Sequence, residues 1–203
     1  MVIWVYGYFK GIIDEKYTDR VIIDVNNIGY EIYLPENDII DIKISDKMKI
    51  FTYLVVREDD MKLFGFTTKE KLEFFKKLIS VSGVGPKVAI GIISNISVSD
   101  MCLAIITDNI AALKKVPGIG PKMAQKIIFE LKDKISKSEE ATMLSQVNTG
   151  SIDKQNVNVV EAVSALEVLG FSKKDIEIAI KAIDTSNLSV ENIIKLLLKE
   201  LQK

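Results

Sequence analysis

The sequence contains no histidine. That absence removes the usual general base and the commonest metal ligand, and with them any Ser-His or Cys-His nucleophile arrangement. A single cysteine, Cys102, excludes a disulfide or a cysteine metal site within one chain. It lies in the apolar run MCLAII, where a small buried packing residue is expected. Long apolar runs are missing too. The N-terminal VIWVYGYF falls well short of the roughly 20 residues that span a bilayer. It also lacks the basic start and small-residue cleavage site of a signal peptide, so a cytoplasmic protein is expected. Neither sign of charge dominates: 27 Lys+Arg against 28 Asp+Glu leave a net charge of −1, which argues against a generic polyanion binder. What is present is apolar content of 48% in 203 residues, enough for globular cores and for more than one small domain.

Of only four prolines, three sit in a phrase that occurs twice. Residues 78–93 read LISVSGVGPKVAIGII and residues 113–128 read LKKVPGIGPKMAQKII, identical at nine of sixteen positions when slid by 35. A repeat at fixed spacing marks one structural unit used twice. In each copy an apolar run ends at a glycine, a tight turn follows, and Pro and Lys open a second run, which predicts helix, hairpin, helix. Gly83 and Gly118 can end the first helix at positive φ, while Gly85 and Gly120 carry no side chain to hold a ligand off the backbone. Pro86 and Pro121 suit a first helical turn, where a missing N–H costs nothing. The neighbouring free N–H groups and the positive end of the helix dipole make an anion seat, with Lys87 or Lys122 beside it. Two such seats on related helices suit successive phosphates of a nucleic-acid backbone, gripped without reading bases. Ordinary helix connections also use Gly stops and Pro starts, but two copies sharing the lysine favour the phosphate reading. Nucleotide-binding loops fail on spacing: GVGPKV and GIGPKM lack the third glycine of a dinucleotide loop and the Ser/Thr of a P-loop, and neither follows a strand-like run.

Dividing the charge by segment changes its meaning. Residues 1–65 hold 8 Lys+Arg and 12 Asp+Glu, net −4; residues 66–136 hold 11 and 6, net +5; residues 137–203 hold 8 and 10, net −2. The repeat therefore lies in the only basic segment, where a phosphate-binding footprint belongs.

The expected fold is α+β and multidomain. Residues 1–65 show alternating or β-rich runs at Val2–Phe9, Arg20–Val25, Ile28–Leu34, Lys49–Val56 and Met61–Phe66, with turn formers such as Asn26-Asn27 between them. Five short strands in this length suggest a small OB-type β-barrel. The last two runs are joined through Arg57-Glu58-Asp59-Asp60, so a hairpin tip carries Glu58, Asp59 and Asp60; most charged tips are simply solvated. Residues 66–136 read as helices throughout and form a tandem helix-hairpin-helix domain. Residues 137–156 turn polar and lose periodicity, which suggests a flexible linker of roughly 25 Å end-to-end distance. Residues 157–203 form three helical runs. Gly170 stops the first, Ser172 with Asp175 resembles a capping box, and Phe171 with Ile176 a hydrophobic staple. The last run, VENIIKLLLKEL, is apolar over more than one stripe. So small a bundle buries surface inefficiently, leaving Leu169, Phe171, Ile194, Leu197 and Leu198 as candidates for a partner-facing surface.

Taken in order, the barrel with its acidic hairpin VVREDDMKLFGF, the units SGVGPK and LKKVPGIGPK, the polar stretch and LEVLGFSKKD resemble the RuvA family along the whole chain. The resemblance implies a non-catalytic, DNA-binding subunit that acts in branch migration during recombination and repair. It implies a homotetramer or octamer holding an open four-way DNA junction. It also implies a RuvB-type hexameric ATPase as partner, docked on the C-terminal three-helix module, and a junction resolvase as a further partner. No cofactor and no metal are implied. Carried across by motif, Gly83, Gly85, Gly118 and Gly120 contact phosphates, with Lys87, Lys122 and Lys126 adding charge. Glu58 and Asp59 match the family's acidic pin, where like charge repels phosphates and guides strands apart. Two departures stand out. Pro121 occupies a position basic in many members, which weakens one seat, and Asp60 adds a third acid that would enlarge the central repulsion.

A competing expectation is a helix-hairpin-helix repair enzyme, a glycosylase or nuclease that uses the hairpins for grip. It would need a Lys or Asp in a base-sized pocket, or carboxylates clustered for metal ions. Glu58-Asp59-Asp60 is a poor cluster, because consecutive hairpin residues splay. A pure interaction scaffold would show no salt-sensitive DNA binding.

Overall fold

The structure is a computed structural model that describes residues 6–146, 154–186 and 188–201, with side chains described outside 135–146 and 154–157. By packing the chain divides into two units: residues 1–79 with 84–96, and residues 80–83 with 97–203. The division falls inside the first helix-hairpin-helix motif.

In the first unit, β1 (Tyr8–Lys16), β2 (Arg20–Asp24), β3 (Gly29–Tyr33), β4 (Lys47–Val56) and β5 (Met61–Phe66) close a barrel in the order β1-β2-β3-β5-β4. Every described ladder is antiparallel except β3 with β5. Alternation does the sorting: Phe9, Ile13, Val21, Ile23, Ile32 and Ile50 point inward and form one apolar cluster. Asn26 and Asn27 both take positive φ, 55° and 67°, and close the β2–β3 hairpin between Val25 and Ile28, as the two-residue turn requires.

The first strand corrects the sequence reading. It runs Tyr8–Lys16 and not Val2–Phe9, of which residues 2–5 lie outside the described residues. Gly11 hid it, since glycine reads as a strand breaker. Here glycine is required, because a Cβ would stand 2.0 Å from the carbonyl oxygen of Asp24 on β2.

Helix α1 (Glu36–Ile40) bridges β3 and β4, and α2 (Lys69–Ile79) lays Phe75 on the barrel's outer surface. The ring of Phe75 lies 5.0 Å from Phe66, 5.5 Å from Phe64 and 5.6 Å from Tyr53; such pairs each add about 0.5–1.5 kcal/mol beyond area burial. Asp38 is buried, pairs with Lys71 of α2 and accepts from the Thr67 amide, fixing α1 to the β5–α2 junction. Helix α3 (Pro86–Asn95) completes this unit.

The second unit comprises α4 (Val98–Ile106), α5 (Ile110–Lys114), α6 (Pro121–Gln146), α7 (Lys154–Leu169), α8 (Lys173–Lys181) and α9 (Val190–Leu201). Cys102 is fully buried in α4, as its apolar run predicts. Ser172 caps α8, its Oγ accepting from the Asp175 amide and donating to the Asp175 carboxylate. Gly170 at φ 110° ends α7, with the Phe171 amide reaching back to the Leu166 carbonyl at 3.1 Å. The polar stretch departs from expectation. Helix α6 continues to Gln146, since SKSEEATMLSQ contains neither Gly nor Pro and is rich in good helix formers. α7 begins at Lys154, and the rest of the expected linker, residues 147–153, lies outside the described residues. α7 packs against α6, and α9 touches α4.

Candidate nucleic-acid interface

Both hairpins have the predicted backbone. Gly83 and Gly118 stand at φ 91° and 81°, where any other residue would be strained. In the second copy the Ile119 amide donates to the Val116 carbonyl at 3.2 Å across Pro117-Gly118, the residue order of a type II turn. Helices α3 and α6 then start at Pro86 and Pro121, and the first amides to close them, from Ala89 and Ala124, donate to Gly85 and Gly120 at 3.0 Å in each case. Gly85, at φ −83°, offers no side-chain cap. A Cβ added at Gly85 or Gly120 would meet nothing within 4 Å, so the absence of a side chain serves access from outside and not internal packing. Lys87, Lys122 and Lys126 are all exposed.

The second seat is not electrostatically bare. Lys126 lies 3.8 Å from Glu130 one turn along α6, and Glu130 also accepts from the Ser82 amide at 3.3 Å. Lys126 therefore brings less net positive charge than its exposure suggests, and Glu130 is a residue that motif reading passed over.

The β4–β5 hairpin closes with the Arg57 amide donating to the Asp60 carbonyl at 2.8 Å, which leaves Glu58 and Asp59 at the apex, both exposed. Asp60 differs from them. Its carboxylate is hydrogen-bonded and ion-paired to Lys62, which holds its pKa below the ordinary aspartate value and raises that of Lys62. The pair contributes above the ordinary carboxylate range, and that contribution is lost as pH falls through the depressed value. The expected third repulsive charge is thus largely offset at neutral pH, and the unpaired acidity of the tip resides in Glu58 and Asp59.

Strand alternation gives this hairpin two faces. Val56 and Met61 pair on one, both well exposed; Arg57, Asp60 and Lys62 lie on the other. The second face and the start of α3 line one cavity of about 160 Å³, which brings Arg57, Asp60 and Lys62 beside Gly85 and Lys87. Arg57 and Lys62 escaped the sequence reading, although their alternation with Val55 and Phe64 along the two strands was available as a signal.

The suggested partner-facing residues are corrected. Leu169, Phe171, Ile194, Leu197 and Leu198 are all buried, because the broad apolar surface of α9 turns inward against α7 and α8. Ile178 and Leu196 are the large apolar side chains left exposed on the described parts of these three helices.

Three family models match in sequence order: RuvA N terminal domain over residues 6–65, SAM-like Helix-hairpin-helix tandem over 75–133, and RuvA, C-terminal domain over 158–202. Proteins named Holliday junction branch migration complex subunit RuvA match nearly end to end. That of Lachnospira eligens is 42% identical, covering 97% of this chain and 99% of its own length. That of Acetivibrio thermocellus is 44% identical over 98% and 99%, and that of Alkaliphilus oremlandii 41% over 98% and 100%. This chain belongs to the RuvA family. Its barrel, except for Phe66, falls within the match to the RuvA N-terminal domain, and both GPK seats fall within the match to the tandem. Matches of this order and coverage do not favour the repair-enzyme expectation.

Proposed function

We propose that this RuvA-family chain is the non-catalytic subunit that binds four-way DNA junctions and presents them to a RuvB-type hexameric ATPase for branch migration. The observation that carries the proposal is the pair of matched hairpins, each with an open glycine at a helix start and an exposed lysine behind it, in one chain with an exposed acidic apex. The seats take phosphates of any sequence, and Glu58 and Asp59 disfavour phosphates at the junction centre. Gly83 and Gly118 shape the turns; Gly85 and Gly120 admit the backbone; Lys87, Lys122 and, in part, Lys126 supply charge, with Arg57 and Lys62 beside the first seat. Four equivalent arms are most simply matched by four equivalent subunits, as a tetramer or a pair of tetramers. The C-terminal helices carry the motor contact in this reading, on side chains other than the five buried ones. A junction resolvase is a further partner, and the setting is the cytoplasm.

The deciding experiment is competition between a labelled four-way junction and a duplex of equal length. The junction should win by a wide margin in the wild-type chain, and Glu58→Gln with Asp59→Asn should tighten binding to both while narrowing that margin. Equal affinity for junction and duplex in the wild type would overturn the reading.

A further inference from the structure

The barrel segment is acidic in total, yet one of its outer faces is basic. Register pairs Tyr8 with Phe51, Lys10 with Lys49 and Ile12 with Lys47 across β1 and β4. Directly opposed residues share a face, and Phe9, Ile13 and Ile50 between them point into the core, so these six side chains line the outside. Tyr8 is 55% exposed and Ile12 49%. The ammonium of Lys49 stands 4.0 Å from the centre of the Tyr8 ring and 4.6 Å from that of Phe51. Among the described residues none of the three lysines has an ion pair. Two of the bordering acids are held in turns: Asp24, opposite Ile12, accepts from the Asn27 amide at 2.9 Å, and Asp46 accepts from the Lys43 amide at 2.8 Å; exposed Asp14, two residues beyond Ile12 in β1, marks the acidic end of the stretch.

We infer that this face of β1 and β4 is a contact surface for single-stranded DNA, separate from the junction seats. Three unpaired ammonium groups, two opposite each other and the third about 7 Å along the strand, suit a phosphate backbone. The exposed ring of Tyr8, with the half-buried ring of Phe51 opposite it, adds something a duplex cannot use, since its bases are already stacked; an unpaired strand offers base faces to it. Lys49 couples the two functions, because an ammonium resting on the rings can turn to a phosphate as a base takes its place.

The test uses the full chain with Lys87→Ala and Lys122→Ala, so that the hairpins contribute little, and follows a labelled thymidine 20-mer by fluorescence anisotropy. Adding Lys10→Ala, Lys47→Ala and Lys49→Ala should weaken binding at least tenfold and flatten the salt dependence by about 0.7 for each phosphate no longer neutralised. Tyr8→Leu should weaken oligonucleotide binding at least fivefold but leave inorganic polyphosphate binding unchanged, which separates a strand surface from a bare anion patch. Unchanged oligonucleotide affinity in the lysine variant overturns the inference, as do equal losses for both ligands in Tyr8→Leu. In a chain with intact hairpins the three lysine substitutions should leave junction affinity unchanged; a parallel fall would place them on the junction surface instead. Light scattering completes the test: altered subunit stoichiometry in these variants would identify a contact between copies and overturn the strand surface.

Discussion

The two hairpins share a phrase and a backbone but not an electrostatic setting. Each has a positive-φ glycine and a Gly-Pro-Lys helix start with a 3.0 Å closing bond. They diverge one residue before the first glycine, where Ser82 stands in one and Pro117 in the other. Ser82 has an amide to give and gives it to Glu130; Pro117 has none. The first hairpin adds Lys87 to a cavity that already holds Arg57 and the Lys62–Asp60 pair. The second carries Lys122 and Lys126, but Lys126 is drawn to Glu130. Local sequence thus sets the turn, and residues far away in the chain set how much charge the turn presents.

The largest expected effect tests whether both seats hold phosphates. Lys87→Ala with Lys122→Ala should weaken binding to every DNA sequence alike and reduce the slope of log affinity against log salt by about 0.9 for each phosphate no longer neutralised. If the two seats are equal, the single variants will split this change evenly. If the cavity around Lys87 concentrates the field, Lys87→Ala will weaken binding more. An unchanged salt slope in the folded double variant would remove both lysines from the interface.

Features set by short-range chemistry were open to the sequence reading, and features set by distant partners were not. The repeat exposed the hairpins because Gly at positive φ and Pro at a helix start act within a few residues. Asn26-Asn27 gave a turn, and Ser172-Asp175 a helix start, for the same reason. Gly11 misled because its need for a bare Cα comes from Asp24 on the next strand. Asp60 looked like one of three equal acids until Lys62, two residues on, was placed on the same face. Leu197 and Leu198 looked available because periodicity shows that a helix is apolar over more than one stripe but not how many neighbours cover it. The helix beyond residue 136 was missed because loss of apolar period was read as loss of helix, although its residue types still favour one.

The glycines sharpen the comparison within each hairpin. Gly83→Ala and Gly118→Ala place a Cβ at φ 91° and 81° and should cost about 1–2 kcal/mol of stability each, seen as a lower thermal midpoint. Gly85→Ala and Gly120→Ala meet nothing within 4 Å, and Gly85 has an ordinary φ of −83°. Alanine at these two positions should leave the midpoint nearly unmoved and weaken DNA binding, because the added methyl group intrudes only on a bound backbone. Normal affinity in stable Gly85→Ala and Gly120→Ala chains would mean that the open side of the hairpins faces something other than DNA.

The smallest expected effect bears on Glu130, which makes the two seats unequal. In Glu130→Gln the side-chain oxygen can still accept from the Ser82 amide, so the loop keeps its tether, while the charge opposite Lys126 disappears. Lys126 is 43% exposed and Glu130 28%, so their ion pair, screened by solvent, is worth only about 0.3–0.5 kcal/mol and its loss should scarcely shift the thermal midpoint. Freed from its partner, Lys126 can reach a phosphate at the second hairpin. Affinity for junction and duplex should then rise by a few-fold together, and the salt slope should steepen by up to about 0.9. The gain should vanish when Lys126→Ala is added, since no cation is left to neutralise a phosphate there. A gain that survives Lys126→Ala would trace to the removed carboxylate's general field and not to this pair, and unchanged affinity and slope in Glu130→Gln would leave Lys126 outside the interface.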